Sequence, residues 1–275
     1  MVVDAHTHLF TEEICASYFA KTKGRVGKAI VLHYPTLLSG DVSKQRPFPI
    51  EELLALAAKT PELAVVGSVD MNQELEPQLA ALGALFEQKK IVGIKLYIGY
   101  QHFYPTDERV HRVARLCAQY GQPLIFHTGD VYDPDGKALL KYSHPLAVDE
   151  VAVRNPDTTI IVAHFGFPYL LETAMMVSKN DNMYADLSGT IDGSLAADQS
   201  DVRAAVLTKQ YIEDLRRVYA YFPALRLKTL FGTDYGGEET DLHLVEPYFE
   251  VVDVLFEGVE KESVQGGLAA RLFKL

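Results

Sequence analysis

The chain has 275 residues, of which 48% are hydrophobic and 23% are charged. This balance is typical of one large α/β domain and excludes an intrinsically disordered chain. The formal net charge of −11 disfavours a protein that binds nucleic acid by electrostatic attraction.

Short apolar runs recur along the chain and predict eight strands. In chain order they are MVVDAH, KAIVLHY, LAVVGSVD, IVGIKLY, QPLIFHTG, TTIIVAHFG, NMYADLSG and KTLFGTDYGG. Most are almost continuously apolar, which is typical of strands buried on both faces.

Helical patterns lie between these runs. In DERVHRVARLCAQYG the residues Val110, Val113, Ala114 and Cys117 follow the i, i+3, i+4, i+7 spacing, and Gly121 stands where a helix stop is expected. Three further segments have similar stripes: IEELLALAAKT, LEPQLAALGALFEQKK and YLLETAMMVSKN.

The spacing of the runs predicts the architecture. Strand starts lie about 24 to 46 residues apart, close to the length that a βαβ unit needs. Eight such units predict a (β/α)8 TIM barrel that occupies residues 1–275 as a single domain. A doubly wound open sheet is the alternative, but it usually has a glycine-rich phosphate loop after its first strand. Here HTHLFTEE stands at that position, which favours the barrel.

Polar residues end every predicted strand. Because barrel active sites lie at the C-terminal ends of the strands, these side chains are expected to converge. Histidine ends four of the eight strands in a chain with nine histidines, which indicates a functional cluster rather than isolated core residues. The strand-end residues are His6 with His8, His33, Asp70, Lys95, His127, His164, Asp186 and Asp234.

The first strand suggests a metal site. Alternation along a strand would place Asp4, His6 and His8 on one face. Imidazole and carboxylate ligands suit Zn²⁺, with Mn²⁺ or Fe²⁺ as alternatives, and bound Zn²⁺ lowers the pKa of water toward about 7. We expect Asp234 to take the remaining proton and His164 to polarise the substrate carbonyl. Asp4, one step deeper, is expected to hold the ring of a ligand histidine.

Five stretches and the C-terminal GGLAARLFKL, which span residues 4 to 275, resemble the amidohydrolase superfamily and, within it, the amidohydrolase-2 group. The stretches are DAHTH, GIKLY with HFYPTDE downstream, FHTG, VAHFGFP and LFGTDYGG. The resemblance implies a distorted TIM barrel with one divalent metal per chain. It implies His6, His8, His127 and Asp234 as the metal ligands. His164 would lie beside the metal, although in other branches of the superfamily this histidine is itself a ligand.

Lys95 has two alternative roles. Binuclear members of the superfamily bridge two metals with a carboxylated lysine on the fourth strand, whereas a cationic Lys95, or Arg25, would bind a substrate carboxylate. We favour the cationic reading. The expected substrate contacts are Lys95, Tyr97, His33 and Thr128. Further aromatic loop residues suit either a flat substrate or ordinary loop packing: Tyr34, Tyr100, His102, Tyr104 and Tyr132.

The motifs favour a hydrolase that acts on a small, carboxylated ester, lactone or amide. A non-oxidative decarboxylase of an aromatic or unsaturated acid uses the same motifs, but such enzymes tend to have longer chains. TatD-like nucleases and the polymerase-and-histidinol-phosphatase family also begin with D-x-H-x-H. The nucleases have glutamate where this chain has Lys95, and the second family needs further ligands that the chain does not match. A non-catalytic barrel would have lost a ligand, and all four are present.

Location and partners follow from simpler features. No apolar run reaches the roughly 18 residues of a membrane span, and the N-terminus does not resemble a signal peptide. Two cysteines, Cys15 and Cys117, are too few for a disulfide framework. We therefore expect a cytoplasmic protein with a small-molecule substrate, without nucleic-acid or membrane partners, and with homo-oligomerisation possible.

Overall fold

Eight parallel strands form the centre of the fold. A computed structural model describes residues 1–35, 49–131, 136–192, 200–238, 240 and 242–275. The strands pair in chain order, as the sequence predicted for a TIM barrel. They are β1 (Val2–Thr7), β2 (Val26–Leu32), β3 (Leu63–Ser68), β4 (Ile94–Leu96), β5 (Leu124–Phe126), β6 (Ile160–Val162), β7 (Met183–Asp186) and β8 (Thr229–Leu230).

Helices separate the strands and cover the barrel. The four predicted helices are present, and α4 ends at Gly121 in the left-handed region that its lack of Cβ favours. No helix in the described ranges is long and apolar enough to cross a membrane. The helices are α1 (Glu12–Thr22), α2 (Ile50–Lys59), α3 (Leu75–Glu87), α4 (Glu108–Tyr120), α5 (Leu140–Ser143), α6 (Val148–Arg154), α7 (Leu170–Lys179), α8 (Ser200–Tyr221), α9 (Glu246–Leu255), α10 (Gly258–Glu262) and α11 (Leu268–Leu272).

The strands bury both of their faces, as their continuous apolar sequences predicted. Along β2, Ala29 and Val31 join the large apolar cluster that packs the helices on the barrel, whereas Ile30 and Leu32 join a smaller second cluster. Strand alternation assigns that second cluster to the barrel interior. Helix α11 contributes Leu268 to the same cluster, so the C-terminal helix packs against the interior core.

The barrel closes between β1 and the chain that follows β8. The two segments share one isolated bridge rather than a regular ladder, so the barrel is nearly closed. Three backbone hydrogen bonds of 2.8 to 2.9 Å join them: Ala5 N–H to Phe231 O, Asp234 N–H to His6 O, and His8 N–H to Tyr235 O. This seam brings the ends of the first and last strands together.

A register shift between Asp4 and Thr7 changes which way β1 points its side chains. Such a bulge interrupts the alternation of a strand. The expectation that Asp4 shares a face with His6 is therefore wrong. Asp4 faces Tyr18 of helix α1, whereas His6 lies in the strand-end cluster.

Asp4 therefore joins β1 to the segment after β8 by hydrogen bonds and does not contact a histidine ring. Its Oδ1 accepts the backbone N–H groups of His6 and Thr233, each at 3.1 Å. Its Oδ2 accepts the hydroxyls of Tyr18 and Thr233, each at 2.7 Å. Burial raises the pKa of Asp4 to about 6 against the lowering effect of these four bonds. The predicted contact with a ligand imidazole is thus replaced by a bond to the His6 backbone.

We expect Tyr18→Phe to lower the free energy of unfolding by about 1.5–3 kcal/mol, because it removes a hydrogen bond to a buried carboxylate. The matched control is Tyr221→Phe, since Tyr221 is 68% exposed and its change should stay within about 0.5 kcal/mol. Urea unfolding followed by far-UV circular dichroism compares them. Equal losses in both variants would refute the structural role of this bond.

Candidate metal centre

The polar residues at the strand ends converge in one buried cluster, as their placement predicted. Asp234 lies at its centre. Its Oδ1 is 3.1 Å from His6 Nε2 and 3.1 Å from His8 Nε2. On the other side, Asp234 Oδ2 lies 3.9 Å from His164 Nδ1. His127 joins through His164, with 3.0 Å between His127 Nδ1 and His164 Nε2.

One nitrogen of each imidazole lies within 3.3 Å of a carbonyl or carboxylate oxygen other than those of Asp234, and a proton on that nitrogen satisfies the contact. These bonds fix the orientation of the four rings. They run from His6 Nδ1 to Asp186 Oδ2 (3.0 Å), from His8 Nδ1 to Leu32 O (3.1 Å), from His127 Nε2 to Asp130 O (2.9 Å) and from His164 Nδ1 to Ser188 O (3.3 Å).

With the protons placed there, the other nitrogen of each ring directs a lone pair into the cluster, where Lys95 Nζ lies 3.3 Å from the Nε2 atom of His6. Asp234 Oδ1 adds a further acceptor, and it has no hydrogen-bond partner among the described residues although it is buried. Facing lone pairs repel one another unless a proton or a cation lies between them. Nitrogen and carboxylate ligands in this number suit a divalent transition metal, so the residues fit such an ion.

The geometry distinguishes the predicted ligands. Donor atoms of His6, His164 and Asp234 all lie within 4.8 Å of one another, which makes His164 part of the group that could hold a metal. His8 reaches this group through Asp234, and His127 reaches it through His164. The ligand set His6, His8, His127 and Asp234 remains a prediction.

Burial keeps two of these rings neutral, whereas at His6 the negative charges of Asp234 and Asp186 outweigh burial and raise the pKa. Burial lowers the pKa of His164 to about 4 and holds the pKa of His127 well below its usual range. Burial opposes ionisation of Asp234, but the neighbouring histidines hold its pKa well below the usual range. Neutral imidazoles and an ionised carboxylate are the forms that bind metal ions.

Two residues of the cluster have a strained backbone. His164 has φ 60° and Asp234 has φ 63°, in the left-handed region that disfavours residues with a Cβ. Asp186 Oδ1 accepts the His164 backbone N–H at 3.0 Å, and His6 O accepts that of Asp234 at 2.8 Å. Such strain persists where surrounding bonds hold it, and it is concentrated at functional sites.

Asp186 and Ser188 are functional candidates to which the sequence analysis gave no role. Asp186 was recognised only as the polar end of the seventh strand, yet it contacts both His6 and the His164 backbone. Ser188 lies two residues further on and contacts the same two histidines. The sequence signal that could have identified these two residues is the position of the segment DLSG at the end of a predicted strand.

Lys95 lies inside the cluster. It is fully buried, and its Nζ is 3.3 Å from His6 Nε2. Burial lowers the pKa of Lys95 to about 8, against the opposing effect of Asp186 and Asp234. Its place beside a predicted ligand agrees with either reading of its role.

Arg25 does not lie at the site. It immediately precedes β2 and therefore lies at the opposite end of that strand from His33. Its guanidinium pairs with Glu246 at 2.6 Å and stands 3.6 Å over the ring of Phe249. The expectation that Arg25 binds a substrate carboxylate is wrong because position before a strand places it at the wrong face of the barrel.

The other three expected substrate contacts have protein partners. Thr128 is fully buried and donates its hydroxyl to Ala163 O at 2.8 Å, which accounts for it without a substrate. Tyr97 donates its hydroxyl to His33 O at 3.0 Å. The His33 imidazole lies 2.6 Å from the hydroxyl of Ser68.

Three tyrosines, Tyr34, Tyr97 and Tyr100, form an aromatic arc between two predicted ligands. Its ring centroids follow one another from His8 to Tyr34 (6.0 Å), Tyr97 (6.5 Å), Tyr100 (6.4 Å) and His127 (4.8 Å). The exposed His102 and Tyr104 instead pack on Tyr142. Tyr132 lies outside the described residues.

The fold and this cluster define a TIM-barrel protein with a candidate metal centre at the C-terminal ends of its strands. The sequence model of the family described as Amidohydrolase (Amidohydro_2) matches residues 3–275. The chain therefore belongs to this family, whose members are metal-dependent hydrolases and decarboxylases. A search of curated proteins returned no significant match.

Solved structures share the fold at low sequence identity. A TIM-barrel protein from Bordetella bronchiseptica superposes with a TM-score of 0.68 at 18% identity, over 99% of this chain and 98% of that chain. A probable 2-pyrone-4,6-dicarboxylic acid hydrolase from Acinetobacter baumannii, with citric acid bound, gives 0.65 at 12% identity over 100% and 99%. A dihydroxybenzoic acid decarboxylase from a Polaromonas species, with bound manganese and 2-nitroresorcinol, gives 0.64 at 14% identity over 100% and 97%.

We expect Gly189→Ala to weaken Zn²⁺ binding by more than tenfold. Gly189 has φ +70°, and a Cβ there would clash with His164 Nδ1 and lie 2.9 Å from Asp234 Oδ2. The control is Gly24→Ala, at φ +73° with nothing within 4 Å of its Cβ. Both changes carry a backbone cost of about 1–2 kcal/mol, so only the clash differs. Competition with a chromophoric chelator measures the affinity, and equal affinities would contradict the expected clash.

Proposed function

We propose that the protein is a metal-dependent hydrolase of a small, carboxylated ester, lactone or amide. The observation that supports this most strongly is the set of ring nitrogens on four histidines and carboxylate oxygens of Asp234 that face one another. We propose one metal per chain, Zn²⁺ first, with Mn²⁺ or Fe²⁺ as alternatives. The proposed ligands are His6, His8, His127 and Asp234, with His164 adjoining them.

A bound divalent metal supplies Lewis-acid polarisation and lowers the pKa of a coordinated water. The chain itself supplies the proton path. Asp234 directs Oδ1 toward His6 and His8, so Oδ2 is the atom that would receive a proton. His164, whose Nδ1 lies 3.9 Å from this oxygen, would stabilise charge that develops on the substrate through the proton that Nδ1 carries.

Lys95 is the proposed carboxylate contact. It provides a buried positive charge next to the metal cluster, where a charge-assisted bond to a carboxylate is strong. Its Nζ also lies 5.4 Å from the centre of the Tyr97 ring. A substrate that binds Lys95 would therefore place its remaining atoms against the aromatic arc.

A non-oxidative decarboxylase is the second candidate, and the aromatic arc is the observation that favours it. Three aromatic rings in sequence suit a flat, conjugated acid. One similar structure is a dihydroxybenzoic acid decarboxylase, and another is a probable pyrone hydrolase, so this likeness supports both reactions equally.

The cysteines bear on the proposed location. Cys15 and Cys117 are both free and buried, which agrees with a reducing compartment such as the cytoplasm. We therefore propose a cytoplasmic enzyme that acts on a small molecule.

We expect protein purified without chelators to hold about one Zn, Mn or Fe per chain by plasma emission spectroscopy. His6→Ala and Asp234→Asn should lose most of it, because each removes a proposed ligand. Glu238→Gln, an exposed carboxylate that follows the cluster in sequence, is the control and should keep its metal. Two metals per chain would overturn the single site and favour a carboxylated Lys95. If the protein holds no metal after reconstitution, the proposal that it is a metal-dependent enzyme is refuted.

The metal-loaded protein should release acid from at least one compound in a panel of carboxylated lactones, esters and amides. Aromatic carboxylic acids serve as the competing panel, with release of CO₂ as the readout. Asp234→Asn should lower kcat/KM by more than about a thousandfold, since it removes both a proposed metal ligand and the proton acceptor. Turnover confined to CO₂ release would replace the hydrolase with the decarboxylase.

A further inference from the structure

Ser188 is a buried hydroxyl with three polar partners at the cluster. Its Oγ lies 2.5 Å from Asp186 Oδ1, 3.0 Å from His6 Nδ1 and 3.1 Å from His164 Nδ1. The residue is fully buried, so water does not compete for these contacts. One side chain thus touches two histidines that come from different strands.

The hydrogen-bonding capacity of this hydroxyl fixes its orientation. A serine hydroxyl has one proton to donate and two lone pairs. Asp186 accepts the backbone N–H groups of His164 and Ser188 at Oδ1 and the ring of His6 at Oδ2, so it acts as an ionised acceptor. The serine proton therefore points to Asp186 Oδ1. Both lone pairs remain for the Nδ1–H groups of His6 and His164.

We propose that Ser188, oriented by Asp186, is a positioning residue that selects the tautomer of both His6 and His164. In each ring it keeps a proton on Nδ1, which directs the lone pair of Nε2 toward the cluster. This deepens the proposed function, and it rests on that function only where it concerns metal affinity. The tautomers themselves are a property of the chain.

His164 depends on Ser188 more than His6 does. His6 has a second acceptor in Asp186 Oδ2 at 3.0 Å, whereas the nearest carboxylate oxygen of Asp234 is 3.9 Å from His164 Nδ1. The remaining partner of His164 Nδ1 is the Ser188 carbonyl at 3.3 Å. Removal of the hydroxyl therefore affects His164 first.

The alternative tautomer of His164 has a ready partner. With its proton on Nε2, His164 would donate to His127 Nδ1, which lies 3.0 Å away. That bond would satisfy both rings without a metal and would occupy the His127 Nδ1 lone pair that the proposed metal needs. Ser188 opposes this state by accepting the proton at the other side of the ring.

The test compares Ser188→Ala with Ser188→Thr in the full chain, both stripped of metal and loaded with Zn²⁺. Two-bond ¹H–¹⁵N correlation spectra of ¹⁵N-histidine-labelled protein show which ring nitrogen holds the proton, and chelator competition gives the Zn²⁺ affinity. Thr158→Val is the control, because its buried hydroxyl donates to Ala114 O and touches no histidine. Ser188→Cys, similar in size but a weak acceptor, replaces the alanine variant if that variant does not fold.

In Ser188→Ala we expect the proton of His164 to move to Nε2 in the stripped protein and Zn²⁺ affinity to fall about 10–100-fold. Ser188→Thr should restore both, and Thr158→Val should match the parent. An unchanged His164 tautomer with affinity within about twofold of the parent would overturn the inference. A tautomer change in a protein that binds no Zn²⁺ would support the positioning role and refute the metal-dependent function.

Discussion

The bulge in β1 is the constraint on which the site depends. By interrupting alternation between Asp4 and Thr7, it directs Asp4 toward helix α1 and His6 toward the barrel centre. Asp4 then bonds the backbone of Thr233, next to Asp234, while His6 O accepts the Asp234 N–H. The same few residues therefore close the barrel and bring the first and last strands' polar ends together. The contacts that close the barrel are therefore also the contacts that assemble the cluster.

In the resulting cluster, ring nitrogens face the Asp234 carboxylate and the Lys95 ammonium at the centre, and hydrogen bonds hold the rings at the edge. Each ring is held from outside by a carbonyl, a hydroxyl or a carboxylate, so the inward atoms have no freedom to turn away from one another. Left-handed backbone at His164 and Asp234 adds local strain. The hydrophobic packing of a large barrel offsets such costs, which gives a preorganised set of candidate ligands. A cation bound in this arrangement would reduce the repulsion between the facing lone pairs and would not need to move these side chains into place.

The sequence predicted the eight strands and four helices because apolar periodicity is a local property, and it predicted the convergence of His6, His127, His164 and Asp234 because barrel topology is regular. It failed for Asp4, because a bulge is set by pairing with another strand and by the demands of the seam. The prediction for Arg25 failed because a residue that precedes a strand lies at the opposite end of the barrel from the residues that follow the strand. The roles of Asp186 and Ser188 depend on contacts some 180 residues apart, which no local pattern contains.

The ligand cluster alone does not select a reaction, because hydrolysis and decarboxylation both need a metal and a proton carrier. Selection must come from how a substrate is placed relative to Asp234 Oδ2. Tyr97 uses its hydroxyl on His33 O, so this part of the arc offers a ring face rather than a hydrogen bond. Lys95, whose Nζ lies 3.3 Å from His6 Nε2, is the carboxylate anchor that we propose beside the cluster. A carboxylate held by Lys95 stays intact while a neighbouring bond reacts, whereas a carboxylate placed at the metal would be the group that leaves.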